Sequence, residues 1–404
     1  MDRREPLIFI VAGETSGDNL AGRLMSALKR KTAGHVRFAG VGGPQTAAQG
    51  LKSLYPMSDL SVIGLAEVLP HLPRLVRRIN QTAAEARRLT PDAVVTVDSA
   101  SFSMRLAHQL RGSGIPIVHY VAPQLWAWRP GRAKKLGRRV NHIMALLPFE
   151  AAFFAKYGIP STYVGHPAIE SGVDRGDGPA FRERHGLPPD ATVLCVLPGS
   201  RGSEVRRLLP VFGEALLSLK ATYPDLRIVI PVAHAAAELV GAMTRDWPFQ
   251  VVFAEMEERF DAFAASNAAM AKSGTVTLEL ALAGVPMVVA YKVSATTAFL
   301  VRRMGVSVEH ASLVNLLAGR TVVPEYLQEQ CTAPRIAEAV AEVLGSKEVR
   351  AKQLLGFREV AKALGDVDPP PSERAAKVVL DIIQAREISW PGNSCTAPIP
   401  PLEG

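Results

Sequence analysis

Short apolar runs of buried-strand type recur along this 404-residue chain, each followed by a polar or glycine-rich turn and then a helix-spaced segment. That alternation constrains the fold more than any other feature. Leu7–Ala12 is continuously apolar, Asp18–Lys29 has helical spacing, and Val36–Val41, Asp92–Val97, Ile115–Val121 and His142–Leu147 repeat the strand pattern. A second series follows in Thr192–Leu197, Arg227–Pro231, Gln250–Phe253, Ala268–Ala271 and Pro286–Tyr291. Strands separated by helices pair in parallel, so the pattern predicts an α/β protein. The chain exceeds the usual size of one hydrophobic core, which predicts two similar α/β domains with a cleft between them. The polar, glycine-rich stretch Glu170–Pro179 suggests the boundary. The expected organisation is a first domain over 1–170, a linker over 171–180 and a second domain over 181–368. A helix over 369–388, which Ser372 could cap, and a Pro-rich disordered tail over 389–404 complete it.

Composition narrows the partners. Three widely spaced cysteines, Cys195, Cys331 and Cys395, give neither a disulfide framework nor a zinc site and fit a reducing compartment. His119, His142, His166 and His234 are too scattered for a ligand set, so no metal and no cofactor is expected. The net charge of +8 comes with only 6% aromatic residues, which argues against single-stranded nucleic acid. An anionic membrane surface or phosphorylated small molecules suit it better. The N-terminus reads as a first strand rather than a signal peptide, and no stretch reaches the roughly 20 apolar residues of a membrane span.

In open parallel sheets, ligands gather outside the carboxyl ends of the strands. The loop Ala12–Asp18 (AGETSGD) carries Gly13, Glu14, Ser16 and Gly17 into a helix start that welcomes an anion or a sugar hydroxyl. Gly40–Pro44 repeats the idea after the second strand. Asp98 leaves a β-branched strand partly out of water, which suits a general base and equally suits a cap on the next helix. In His119–Arg132, Trp126 and Trp128 stand beside Arg129 and Arg132. They read as the wall of a pocket for a bulky polar ligand, or as an aromatic cluster that Arg129 covers.

The second half offers Leu197–Val205 (LPGSRGSEV), where Gly199 and Ser200 free backbone donors and Arg201 supplies a planar fork for phosphate. In Ala271–Glu279 (AKSGTVTLE), Ser273, Gly274 and Thr275 open a helix that could receive a diphosphate. Glu279, one turn on, could accept a ribose diol. Asn315 lies in an apolar run and must have a partner, structural or catalytic. Ser61–Arg78 carries Val62, Ile63, Val68, Leu69 and Leu72 and ends in Arg74, Arg77 and Arg78. It fits a segment lying in an anionic membrane interface, or a helix packed on the first sheet.

Taken together, these segments resemble the lipid-A-disaccharide synthase family from about Ile8 to Leu380. The resemblance is carried by VAGETSGD, GVGGPQ, VIGLAEVL, HYVAPQLWAWR, LLPFE and YVGHP, and by LPGSRGSEV, SGTVTLE and VNLLAGR with PEYLQE after it. It implies a GT-B glycosyltransferase with two Rossmann-like domains and a last helix returning to the first. The implied reaction transfers diacylglucosamine from UDP-2,3-diacylglucosamine to lipid X with inversion and without metal, releasing UDP. Asp98 would be the base and Asn315 would join it at the active site. Gly199, Ser200, Arg201, Met256, Ser273–Thr275 and Glu279 would hold the UDP-sugar. Gly13, Glu14, Ser16, Trp126 and Arg129 would line the acceptor pocket. The protein would be cytoplasmic, peripheral to the inner membrane, with a homodimer among its expected partners.

One departure stands out. The family usually shows D-x-P-D-F-N, whereas this chain reads Asp98-Ser99-Ala100-Ser101-Phe102-Ser103, and it has Ala122 and Gln124 where serines are usual. Rate or acceptor choice could differ. Two other readings remain: a UDP-sugar 2-epimerase type, which would leave the Val62–Val76 patch without a purpose, and a non-catalytic nucleotide-sugar or lipid-binding module.

Overall fold

The computed structural model describes residues 4–60, 65–123, 125, 131, 133–232, 234–294, 310–365 and 368–389. It divides into two compact units, Met1–Pro167 with Val367–Gly404, and Ala168–Asp366.

Unit 1 holds β1 (Leu7–Ala12), β2 (Arg37–Val41), β3 (Ala93–Val97), β4 (Ile117–Tyr120), β5 (His142–Ala145) and β6 (Ser161–Tyr163) in the order β2-β1-β3-β4-β5-β6. Every adjacent pair is parallel. The apolar runs are nearly continuous because helices cover both faces. Side chains alternate: Phe9, Val11, Val94 and Ile117 pack with Ile79 and Leu106 on one face. Ile8, Ile10, Val95 and Val118 pack with Leu24 and Leu28 on the other. Ala375, Ala376 and Val379 of the helix Pro371–Ser389 join that second face, so this helix completes the core of unit 1. Ser372 lies within the helix rather than capping it, and the Pro370 carbonyl accepts from Glu373 and Arg374 instead.

Unit 2 holds β7 (Val193–Leu197), β8 (Arg227–Pro231), β9 (Val251–Ala254), β10 (Ala268–Lys272), β11 (Met287–Tyr291) and β12 (Glu325–Leu327) in the order β12-β11-β10-β7-β8-β9, again all parallel. The two three-residue edge strands, β6 and β12, carry no apolar run and were not expected. The glycine-rich segment read as a linker packs tightly. A β-carbon on Gly176 would stand 2.1 Å from the Phe260 carbonyl oxygen, and one on Gly178 would stand 2.5 Å from that of Ala264. Gly176 and Gly178 serve close approach to the helix Arg259–Ala264, which composition alone mimics with flexibility.

Strand order reverses between β1 and β3 in unit 1, and between β7 and β10 in unit 2. At such switch points neighbouring loops diverge to opposite faces and leave a crevice. The turns that follow these four strands are Gly13–Glu14, Asp98–Ser99, Pro198–Arg201 and Ser273–Thr275.

Candidate active site

In unit 1, the loops after β1 and β3 touch. A β-carbon on Gly13 would stand 2.6 Å from Ser99 Oγ, and one on Gly17 would stand 3.8 Å from the Asp98 β-carbon. Asp98 and Ser99 are both left-handed, with φ of 53° and 44°, and Val121 after β4 has φ 77°. Such positions are sterically costly for non-glycine residues, most of all for a β-branched one, and persist only where neighbours over-determine them. Here Asp98 N–H donates to the Tyr120 carbonyl at 2.9 Å and Val121 N–H to that of Met144 at 3.1 Å. The Ser103 hydroxyl donates to the Asp98 carbonyl at 2.8 Å. The half-buried Asp98 is thus held by its backbone at the switch point between β1 and β3. The N-cap of the following helix, Ala100–Gln109, is Ser99, so Asp98 is not a cap.

Glu14 is the N-cap of the helix Thr15–Lys31, and Ser16 is exposed on its first turn. Asp18, which looked like part of an anion-binding turn, is buried. Its carboxylate accepts from Gly43 N–H (2.7 Å), Gln45 N–H (2.8 Å), Thr46 N–H (3.2 Å) and the Thr46 hydroxyl (2.7 Å). It caps the short helix Pro44–Ala48 from a distance and joins the two glycine loops.

Of the apolar segment and tryptophan motif, Val62, Ile63, Trp126 and Arg129 lie outside the described residues. Val68, Leu69 and Leu72 belong to the helix Leu65–Leu89, with side chains outside the described set. Arg77 is exposed, as is Val76 at 47%. Arg78, expected to face lipid, instead turns inward. Its Nε donates to Asp59 Oδ2 at 2.8 Å and its guanidinium lies 4.3 Å from the Tyr55 ring centroid. Arg74 also pairs with Asp59. A buried carboxylate demands a cation, and that demand outranks exposure.

In unit 2, Arg201 is the N-cap of the helix Gly202–Leu219. Its N–H donates to Glu204 Oε2 at 3.4 Å, and its guanidinium lies 3.7 Å from Oε1. Lys272, the last residue of β10, places Nζ 3.1 Å from the same Oε1. Gly199 has φ 118°, and Ser200 beside it is exposed. Across the crevice, the Ser273 hydroxyl donates to the Ala311 carbonyl at 2.6 Å, while Thr275 is exposed at the start of the helix Val276–Leu282. Ser273 is therefore committed to the scaffold, which leaves the backbone of Gly274–Val276 as the start of the helix. Glu279 lies 3.7 Å from the Arg259 guanidinium, which also donates to the half-exposed Met256 carbonyl at 2.7 Å.

Asn315 is buried, and its amide is fully engaged. Its Oδ1 accepts from Val322 N–H (2.7 Å) and Val323 N–H (2.9 Å), and its Nδ2 donates to the Val323 carbonyl (2.8 Å) and Glu325 Oε1 (2.7 Å). All four hydrogen-bonding positions of the amide are used. Glu325 in turn accepts Ala311 N–H at 2.7 Å, so the network reaches Ser273.

Sequence reasoning missed Lys272, Arg259 and Glu325. A cation closing the apolar run Ala268–Ala271 was the available signal for Lys272; Glu325 had none, because its partners are remote in sequence. Burial, followed by the Glu204 carboxylate, pushes the Tyr291 phenol up. Among the described residues no group of three or more His, Cys, Asp or Glu could hold a metal ion, and no helix is long and apolar enough to cross a membrane.

The sequence model of the lipid-A-disaccharide synthetase family matches residues 8–379. The lipid-A-disaccharide synthase of Rhodospirillum centenum is 52% identical over 386 residues, covering 95% of this chain and 96% of that protein. Among solved structures, a Staphylococcus aureus MnaA–UDP co-structure superposes with a TM-score of 0.64 at 14% identity, covering 94% of this chain and 96% of that one. The calicheamicin glycosyltransferase CalG4 superposes with a TM-score of 0.57 at 18% identity, covering 95% and 99%. These likenesses establish the GT-B type of two-sheet α/β fold.

Proposed function

The chain belongs to the lipid-A-disaccharide synthase family, a glycosyltransferase family of lipid A biosynthesis, and on that premise we propose how its two crevices divide the reaction. Unit 1 takes the acceptor, lipid X. Unit 2 takes UDP-2,3-diacylglucosamine, with Arg201 and the Gly274–Val276 backbone meeting the diphosphate and Glu279 meeting the ribose. Asp98 removes the proton from the acceptor hydroxyl as that oxygen attacks the anomeric carbon. The bond to the diphosphate breaks, its electron pair leaves with UDP, and the sugar inverts. The charge on the leaving group is met by the chain's own cations and N–H groups, so the reading needs no divalent metal.

The observation that carries this reading is the strained, doubly tethered backbone at Asp98, at the switch point of the unit 1 sheet. Ser103, standing where the family usually has Asn, supplies one of those tethers, which supports an active rather than a degenerate loop. The protein works at the cytoplasmic face of the inner membrane, and exposed Val76 and Arg77 favour docking through the helix Leu65–Leu89. Asn315 acts through Glu325 on the Ser273 turn.

The test is UDP release from UDP-diacylglucosamine and lipid X in detergent micelles, with a chelator present throughout. Acceptor-dependent release that falls about 10²- to 10⁴-fold in Asp98→Asn is expected. Turnover without acceptor would point to epimerase-type chemistry, and no release at all to a binding module. Either result, or full activity in the variant, overturns the reading.

A further inference from the structure

We propose that Lys272 is a second cation for the nucleotide diphosphate, and that Glu204 is the positioning residue that holds it beside Arg201. The inference rests on reading the unit 2 crevice as the UDP site. Lys272 comes from the end of β10 and Arg201 from the loop after β7, the two strands that flank the switch point. One carboxylate oxygen, Glu204 Oε1, lies 3.1 Å from Lys272 Nζ and 3.7 Å from the Arg201 guanidinium. The carboxylate sits hard against the loop: a β-carbon on Gly199 would stand 2.5 Å from Glu204 Oε2. Nζ also stands 3.6 Å from where a β-carbon on Gly274 would lie, and 5.5 Å from the Tyr291 ring centroid.

The ammonium therefore hangs over the Gly274 turn while its stem is largely covered, the side chain being 19% exposed. A carboxylate alone at this place would repel an anion. With both cations counted the cluster carries one net positive charge, and its geometry is set before the ligand arrives. An ammonium has three donors, so Lys272 can keep Glu204 and still donate to a phosphate oxygen. Held there, it would also oppose the charge that grows on the departing diphosphate.

The experiment titrates uridine, UMP and UDP into the full chain and into Lys272→Met and Lys272→Arg. One lost charge-assisted hydrogen bond is worth roughly a 10- to 100-fold loss of affinity. Lys272→Met should lose UDP affinity on that scale, keep uridine affinity within about twofold, and recover in Lys272→Arg. Equal UDP binding by wild type and Lys272→Met, or equal losses of uridine and UDP, overturns the inference and leaves the UDP site standing. If the wild type itself binds no UDP, the reading of the crevice fails first. Should Lys272→Met not fold, acetylation of Lys272 in the wild type, followed by mass spectrometry, gives the answer. Protection by UDP but not by uridine supports the inference, and equal labelling with both refutes it.

Discussion

Asn315 Nδ2 donates to Glu325 Oε1 at 2.7 Å, and the same carboxylate gathers the N–H groups of Ala311 and Ser312. The pair ties the helix Leu313–Ala318 to β12 and, through the Ala311 carbonyl, to the Ser273 hydroxyl. Asn315→Ala would leave two N–H groups, a carbonyl and part of a carboxylate without partners in the interior. We expect a loss of about 2–4 kcal/mol in urea denaturation, from unsatisfied buried groups. A loss below about 0.5 kcal/mol would mean that the network is not structural.

Gly13 and Ser99 are packed too closely for a side chain at position 13. Gly13→Ala should push the Asp98–Ser99 loop away, costing about 1–3 kcal/mol by overpacking and lowering kcat. Ser99→Gly makes room and suits φ 44°, so the double variant should recover most of both losses. Simple additivity of the two substitutions in stability and kcat would show that the loops do not press on one another.

Asp18 accepts hydrogen bonds from a segment about 25 residues away along the chain. Asp18→Ala should destabilise unit 1 by about 3 kcal/mol, because three backbone N–H groups lose an ionised acceptor. Asp18→Asn keeps one oxygen acceptor and should cost less. Thermal melts of the two variants rank them; identical melting temperatures would argue against the remote cap.

Burial lowers His119 and His166 to about 4 each. Both remain neutral in the fold between their folded values and the unfolded value of about 6.5, whereas the unfolded chain takes up protons there. The unfolded state binds more protons in that window, so stability rises with pH and is lost as pH falls from about 6.5 towards 4. Going from pH 7 to pH 5 should cost about 2 kcal/mol per histidine, read from urea midpoints. His119→Gln should reduce that dependence by the share of one histidine, and an unchanged slope would place the burden on other groups, His142 among them, which burial also lowers.

The two switch-point loops were legible because their strands are continuous apolar runs and their glycines and serines interrupt them at the carboxyl ends. Asp98, Arg201 and the Ser273–Thr275 turn could be found that way, one to four residues past a strand. The inward turn of Arg78 could not. It follows from Asp59, nineteen positions earlier, whose burial depends on how the helix Leu65–Leu89 lies on the sheet. Neither could the edge strands β6 and β12, which are too short to show a period and pair only because a neighbour offers its edge.

Local pattern by itself decided the class of fold, the strands of both cores and the loops where chemistry belongs, since period and turn chemistry act over a few residues. Tertiary packing alone decided which polar groups in those loops are spent on the scaffold and which face the crevice. Ser273 and Asn315 read as candidate site residues in sequence, yet their side chains, like that of Asp18, bond to groups elsewhere in the scaffold. Lys272 lay just past the expected strand Ala268–Ala271 and drew no reading, yet it stands against Glu204 at the start of a separate helix. A buried polar group must find a partner wherever the fold supplies one, and that partner's distance along the chain carries no local signal.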